Sequence, residues 1–357
     1  MTSKGDEGRL MRIAQVSPLY ESVPPQAYGG TERVVSHLTE ELVAQGHDVT
    51  LFASGDSVTR ARLIPCSDRS LRLDPACEDQ LAHHVVMLER VARMAGEFDL
   101  IHYHIDYLHF PISRRLITRS ITTLHGRLDI PDLVQVYQEF PAVPVVSISN
   151  AQRAPLPWIN WQGTVYHGIR ADLYRFHPGP GSYLAFVGRI SPEKGVDRAI
   201  EIAQLAGIPL RIAAKVDRAD EKYFAERIEP LLDDPLVELI GEIDDDSKND
   251  FLGNAIATVF PIDWPEPFGL VMIESMACGT PVVAFRRGSV SEVMTDRVTG
   301  YVVDDVAGAV RAVDRIGGLD RAKCRAEFDR RFTADRMARD YLALYARLAR
   351  GPERHAA

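Results

Sequence analysis

The 357-residue chain has only four cysteines, Cys66, Cys77, Cys278 and Cys324. No two form a CxxC pair and no histidine spacing completes a zinc pattern, so a disulfide scaffold is excluded and a reducing cytosol fits best. Long apolar runs are missing too. Residues 1–12 carry Lys4, Asp6, Glu7 and Arg9 where an export signal needs an unbroken hydrophobic stretch. The most apolar interior window, 269–285, is broken by Glu274, Gly279 and Pro281, which excludes a bilayer span. Basic residues are not in excess: 41 Lys and Arg against 50 Asp and Glu leave a net charge of −9, the wrong sign for a general nucleic-acid binder. No GxGxxG follows the first expected strand, where Ser17-Pro18-Leu19 stands instead, so a nicotinamide or flavin cofactor in the usual dinucleotide turn is disfavoured. The expectation is a cytoplasmic protein with no resident cofactor.

With 46% hydrophobic and 25% charged residues, the chain is long enough to bury two cores of ordinary domain size. Residues 12–16 form a short apolar strand. After a Pro/Gly-rich loop, residues 31–45 place Val34, Val35, Leu38, Leu42 and Val43 at helical spacing, with Thr31 as N-cap and Gly46 as the stop. A second strand follows at 47–53, making a βαβ unit that feeds a parallel sheet; further strands are expected at 100–103, 120–124 and 145–149. The pattern restarts with a strand at 183–187, an N-cap at Ser191 with Pro192 at the first helical position, a helix over 196–206 and a strand at 210–213. Residues 170–182, with His177-Pro178-Gly179-Pro180-Gly181, read as a linker. The α/β chain thus divides into residues 12–170, residues 171–333 and a last helix at 334–350. Met337, Tyr341, Leu344, Tyr345 and Leu348 form one apolar face of that helix, which must pack against something.

The densest chemical signal is WPEPFGLVMIESMACGTPVV, residues 264–283, which reads as loop, helix and strand. Two prolines hold Glu266 just outside the helix, Gly269 lets the backbone approach a ligand, and the first amides, from Gly269 and Leu270, face an anion. Glu274 lies eight residues beyond Glu266, roughly 12 Å at the helical rise. That reach suits an extended molecule with a negative centre, such as a nucleoside diphosphate sugar. The plain alternative makes Glu266 a solvated loop acid and Glu274 a partly exposed helix acid. An acid interrupting an apolar helix needs a partner or a ligand, because burying it unpaired costs several kcal/mol.

A second signal is GRISPEKG, residues 188–195, beginning at Gly188 where a strand ends, the edge at which open α/β sheets bind ligands. Arg189 forks onto phosphate oxygens, and Lys194, placed in the first helical turn, adds a mobile point charge that would steady a departing diphosphate. Otherwise Lys194 pairs with Glu193 or solvent and Arg189 caps the sheet edge. Gly29-Gly30 is either an anion-capable loop of the first domain or a simple turn. His102, His104 and His109 surround Asp106; without further ligands, satisfied polar residues near a cleft are a simpler reading than a metal site. His125, at a strand end before Gly126, is the better ligand-facing candidate, with a capping histidine as its alternative. Asp244-Asp245-Asp246, with Asp250, resembles a divalent-metal loop, but acids also gather at helix starts, here ahead of a helix expected over 251–257, so no metal is expected. Arg114, Arg115 and Arg119, in a helix-like stretch, would meet an anionic membrane or form a solvated face; the net negative charge favours the latter.

Together, EPFGLVMIESMACGTPVV, GRISPEKG, YGGTERVV and the TLHG segment resemble the retaining glycosyltransferases of family four over most of the chain. The resemblance implies the GT-B fold, two Rossmann-like doubly wound α/β domains facing a central cleft. Residues 12–170 would hold the acceptor and 171–333 the donor, and the last helix, 334–350, would cross back to the first domain. It implies that Glu266 contacts the donor sugar, Glu274 the ribose hydroxyls, and Arg189 and Lys194 the diphosphate. His125 would lie near the donor sugar and Gly29 and Gly30 would form the glycine-rich loop, with Gly188, Phe268, Gly269 and Leu270 completing the donor site. The activity implied is transfer of a hexose from a nucleoside diphosphate sugar, with retention and without a metal, to an unidentified hydroxyl acceptor; the sugar nucleotide is a substrate, not a cofactor. IDWPEPFGLVMIES is also similar to a branch that includes bacterial UDP-glucose-dependent glucosyltransferases acting on small acceptors such as pterins. Two positions depart from the pattern: Ser275, where alanine is frequent, and Lys215 after Ala213-Ala214, where small residues commonly border the nucleobase. The rival readings are an epimerase or hydrolase on the same scaffold and a passive sugar-nucleotide binder.

Overall fold

The computed structural model describes residues 10–26 and 29–350; Tyr28 of YGGTERVV and the charged residues 4–9 lie outside them. The chain forms two compact units. Unit 1 holds the described residues up to Ile148, Arg153–Gly168 and those from Ala334 onward; unit 2 holds Ser149–Gln152 and Ile169–Thr333. The expected boundary near 170 therefore falls at Gly168, and residues 149–152 join unit 2 because the Glu292 carboxylate accepts the Asn150 and Ala151 amides at 2.7 and 2.6 Å.

Unit 1 is built on β1 (Arg12–Val16), β2 (Asp48–Ser54), β3 (Arg62–Ser67), β4 (Leu100–Tyr103), β5 (Ser120–Thr123), β6 (Val145–Ser147) and β7 (Trp161–Thr164). They pair in parallel in the order β3-β2-β1-β4-β5-β6-β7. Unit 2 is built on β8 (Tyr183–Arg189), β9 (Leu210–Lys215), β10 (Val237–Gly241), β11 (Ala255–Phe260), β12 (Val282–Phe285) and β13 (Gly300–Val303), again parallel, in the order β10-β9-β8-β11-β12-β13. Helices on both faces explain why β12 reads as an unbroken apolar run and is buried throughout. Both sheets repeat the doubly wound order in which the first strand neighbours the fourth. Ligands collect beyond the strand ends at that reversal, between β1 and β4 and between β8 and β11.

Helix starts differ from expectation for steric reasons. The first helix is Gly30–Ala44 with Gly29, not Thr31, as its N-cap; Gly29 is buried, and a Cβ there would lie 2.7 Å from Pro25. Ser191 caps nothing in the helix Val196–Ala206, which starts from Gly195 at φ +72. A Cβ on Gly195 would come within 2.4 Å of the Pro261 carbonyl, so only glycine turns this tightly under the loop after β11. Lys194 is therefore in a turn before the helix, not in its first helical turn. The helix placed at 251–257 is instead Asp245–Gly253, followed directly by β11; Asp244 caps it, accepting the Ser247 amide at 2.9 Å.

The segment read as a linker is tied into unit 2: the His177 amide donates to Cys278 O at 3.0 Å and Arg321 Nε to His177 O at 2.8 Å. The last helix, Ala334–Arg350, packs into unit 1, burying Met337, Ala338, Tyr341, Leu344 and Tyr345. At about 1.5–3 kcal/mol for each large side chain, that face holds the segment in place. The arginine cluster is not a helix face: Arg114 caps the short helix Phe110–Ser113 and pairs with Glu139 at 3.0 Å, Arg115 donates to Pro111 O, and Arg119 precedes β5. Among the described residues, no helix is long and apolar enough to cross a membrane.

Candidate active site

In unit 2, two loops meet at the strand reversal. Residues 190–195 follow β8, and residues 261–269 lead from β11 into the helix Leu270–Ala277. Lys194 Nζ lies 2.5 Å from a Glu266 carboxylate oxygen, which also accepts Trp264 Nε1 at 3.0 Å. The ammonium sits 4.7 Å above the Trp264 ring centroid, and the Asp263 amide donates to Glu193 O at 2.8 Å, which ties the loops together. Glu266 is 8% exposed, so it is not a solvated loop acid; a cation and an indole N–H offset the cost of its burial. Gly288 makes this approach possible, since a Cβ there would lie 2.3 Å from Glu266 O.

Gly269 caps the Leu270–Ala277 helix at φ +81 and has no side chain, so no N-cap side chain competes for the first amides of the helix. The Phe268 ring is buried edge-on to Phe332, with centroids 6.1 Å apart, and its carbonyl accepts Ser289 Oγ at 2.9 Å. A ligand here meets main chain and not the ring. At Gly188 a Cβ would touch only Phe186, at 3.7 Å, so packing does not demand the glycine. Glu274 is 3% exposed and accepts Lys248 Nζ at 3.1 Å; Lys248 also faces Asp245 at 3.5 Å. It is therefore not a half-exposed helix acid.

Glu193 pairs with Arg189, not with Lys194, and the Arg189 guanidinium also faces Asp220 at 3.4 Å and Asp217 at 3.6 Å. Burial pushes the Glu193 carboxyl up, but hydrogen bonds from its own backbone, Ser191 and Arg189 outweigh it and hold the group below its usual range. The two departures from the family pattern are both anchored. Ser275 Oγ is buried between Thr258 Oγ1 and Thr280 O, at 2.8 and 3.0 Å, and Lys215 pairs with Asp217 at 3.2 Å.

Unit 1 gathers its polar groups at its own strand reversal. His104, after β4, places Nε2 2.8 Å from Gln15 Oε1 and Nδ1 2.9 Å from His125 Nε2. Gln15 Nε2 donates to Tyr345 OH at 3.3 Å, which lies 2.7 Å from His102 Nδ1; His102 Nε2 lies 2.7 Å from Thr123 Oγ1. His109 is held by Ser113 and Thr122 at 2.9 and 2.6 Å. Burial pushes His125 down to about 3 and holds His102, His104, His109 and His167 well below the ordinary histidine value, so these rings are neutral at pH 7. His125 stacks on His167, with centroids 5.2 Å apart, and its Nδ1 has no hydrogen-bond partner among the described residues. Burial raises Asp106 to about 6 against a hydrogen bond from the His125 amide, and the Asp106 backbone is left-handed at φ +48. Of the glycine pair, only Gly30 is exposed. Among the described residues no group of three or more His, Cys, Asp or Glu is arranged to hold a metal ion.

Two parallel doubly wound sheets in tandem, each with functional loops at its strand reversal, define the GT-B class of fold. The family model "Glycosyltransferase Family 4" matches residues 28–162, and "Glycosyl transferases group 1" matches residues 176–319. Glycogen synthase of Mycobacterium tuberculosis is 27% identical over 399 aligned residues, covering 93% of this chain and 95% of that protein. A glycosyltransferase involved in avilamycin A biosynthesis has a crystal structure similar at TM-score 0.75 and 25% identity, covering 96% of this chain and 98% of that one. An Anabaena protein crystallised with UDP-glucose shares the fold at TM-score 0.72 and 16% identity, covering 94% and 100%. The chain belongs to the family 4 glycosyltransferases and is an enzyme of that class.

Proposed function

We propose that this enzyme transfers a hexose from a UDP-sugar, UDP-glucose or a close relative, to an acceptor hydroxyl, with retention and without a metal. The observation that carries this reading is the part-buried Lys194–Glu266 contact beside Trp264, at the reversal point of unit 2 and next to the start of the Leu270–Ala277 helix, where no side chain caps the first amides. As the glycosidic bond breaks, negative charge gathers on the departing diphosphate. Lys194, the Gly269 and Leu270 amides, and Arg189 on exchanging a carboxylate for a phosphate oxygen, supply positive ends where that charge develops. Glu266 accepts hydrogen bonds from the sugar, and Glu274, steadied by Lys248, accepts them from the ribose. In unit 1, His125 offers a hydrogen-bond partner to a substrate hydroxyl. No side chain is assigned as base: in a front-face displacement the leaving phosphate oxygen takes the acceptor proton.

The family supports the class of reaction, and the UDP-glucose bound by the Anabaena protein makes that donor the first to test; fold alone chooses neither sugar nor acceptor. Thermal shifts against UDP-, GDP- and ADP-sugars, followed by nucleotide-release assays with and without acceptor alcohols and with a chelator, test the proposal. A ligand at a hundred times its Kd adds about 2.7 kcal/mol to the native state, a readable shift. Stabilisation by UDP-glucose and acceptor-dependent UDP release that survives chelation, with the α-anomer in the product, are expected. UDP-glucose that neither stabilises the protein nor yields UDP would remove the donor assignment.

A further inference from the structure

We propose that Gln15 and His104 are positioning residues that fix His125 in the tautomer whose Nδ1 is bare, so that the ring offers a hydrogen-bond acceptor to a substrate hydroxyl. The inference rests on the reading that His125 meets substrate. A side-chain amide has one accepting end and one donating end. The Gln15 oxygen faces His104 Nε2 at 2.8 Å, and its nitrogen faces Tyr345 OH at 3.3 Å. An amide oxygen only accepts, so His104 Nε2 carries the hydrogen. A neutral imidazole has a single N–H; His104 Nδ1 is then bare, and the hydrogen in the 2.9 Å contact belongs to His125 Nε2. That leaves His125 Nδ1 with a lone pair.

The other direction of the chain agrees. Tyr345 OH accepts from Gln15 and gives its own hydrogen to His102 Nδ1 at 2.7 Å, and His102 Nε2 donates to Thr123 Oγ1 at 2.7 Å. The hydrogens are donated in one sense, from His125 through His104 and Gln15 to Tyr345 on the last helix and on to His102 and Thr123, and the line starts beside His125 Nδ1, which has no partner among the described residues. A buried acceptor left unpaired disfavours the free enzyme, a deficit that a hydroxyl donor removes. Turning the Gln15 amide over would reverse every hydrogen in the line and present an N–H at His125 instead. The orientation of one amide, at Gln15, thus decides whether the ring accepts or donates.

Ring-15N histidine labelling of the intact enzyme reads the tautomer directly, with the His125→Gln spectrum assigning the signal. The ligand-free enzyme should show His125 protonated at Nε2 and bare at Nδ1; a protonated Nδ1 overturns the proposal. Gln15→Met keeps the length and removes the amide. It should mix the tautomers and lower kcat about tenfold or more, with donor KM moved less than about threefold. Gln15→Glu keeps an oxygen toward His104 and should restore the tautomer and most of the rate. An unchanged tautomer and rate in Gln15→Met also overturn the proposal, and if that variant does not fold, the wild-type spectrum alone decides. Failure of the underlying reading looks different: full turnover in His125→Gln removes the ring from the reaction whatever its tautomer.

Discussion

Lys194 and Lys248 each neutralise a buried glutamate, yet their settings differ. Lys194 stands in a turn outside any helix, while Lys248 lies on the packed Asp245–Gly253 helix with only 10% of its side chain exposed. The first is placed for charge that appears during the reaction, the second for charge already present. Lys194→Ala should therefore cut turnover about a hundredfold or more while weakening donor binding much less, as for other groups aimed at a developing anion; steady-state kinetics beside calorimetric titration separate the two, and native turnover would remove Lys194 from that role. Lys248→Met strands Glu274 in the interior without its cation. Losing one member of such a pair costs about 3–5 kcal/mol. Urea unfolding should show that loss and its recovery in Lys248→Met combined with Glu274→Leu, a double variant that still binds UDP poorly. A single variant as stable as the wild type would contradict the pairing.

At the scale of elements, the site depends on glycines that let loops turn where a side chain would collide. Gly269 is the sharpest case: at φ +81 a Cβ would also lie 2.8 Å from Met272 Cε. Gly269→Ala should cost about 1–2 kcal/mol in stability and shift the helix start, so UDP affinity should fall more than stability does; titration and thermal melting of the variant check this, and unchanged affinity would contradict it. The same glycines mark what sequence reading could and could not see. β1 and β4 were legible to the residue as short apolar runs between breakers. β8 runs two residues further than its apolar signal because Gly188 and Arg189 pair with Ala214 and Lys215 on β9, a contact that composition does not announce. Ser191 and Thr31 are good local caps, but the starts at Gly195 and Gly29 are set by Pro261 and Pro25, which reach them through the fold. The motif residues Lys194 and Glu266 were legible singly. Lys248, 26 positions from Glu274, was not, and neither was the role of Gln15, 89 positions from His104, because a lone polar residue carries no periodic signal of its partner.

Across the whole molecule, groups that resist protonation are concentrated in one unit. His47, His84, His102, His104, His109, His125 and His167 are all pushed down by burial, and all belong to unit 1. Unfolded, these rings take up protons as pH falls through about 6.5; folded, they do so only at lower pH, well below for His102, His104, His109 and His167 and about 3 for His125. The unfolded state then binds more protons, so the stability of unit 1 falls as the solution is acidified. Glu32 and Asp106 act in the opposite sense. Burial raises them to about 7 and about 6, so the folded unit keeps protons that the unfolded chain has released, and acidification through those values favours folding. Seven rings outweigh two acids, and the net effect between pH 7.5 and 5.5 is a loss confined to unit 1. Hydrogen exchange read by mass spectrometry, corrected for intrinsic rates, should show protection in β4 and β5 falling over that range while β11 and β12 hold theirs. Glu32→Gln removes one opposing group and should steepen the fall. Equal losses in the two sheets, or none in either, would mean that the buried imidazoles do not govern the acid limit of the fold.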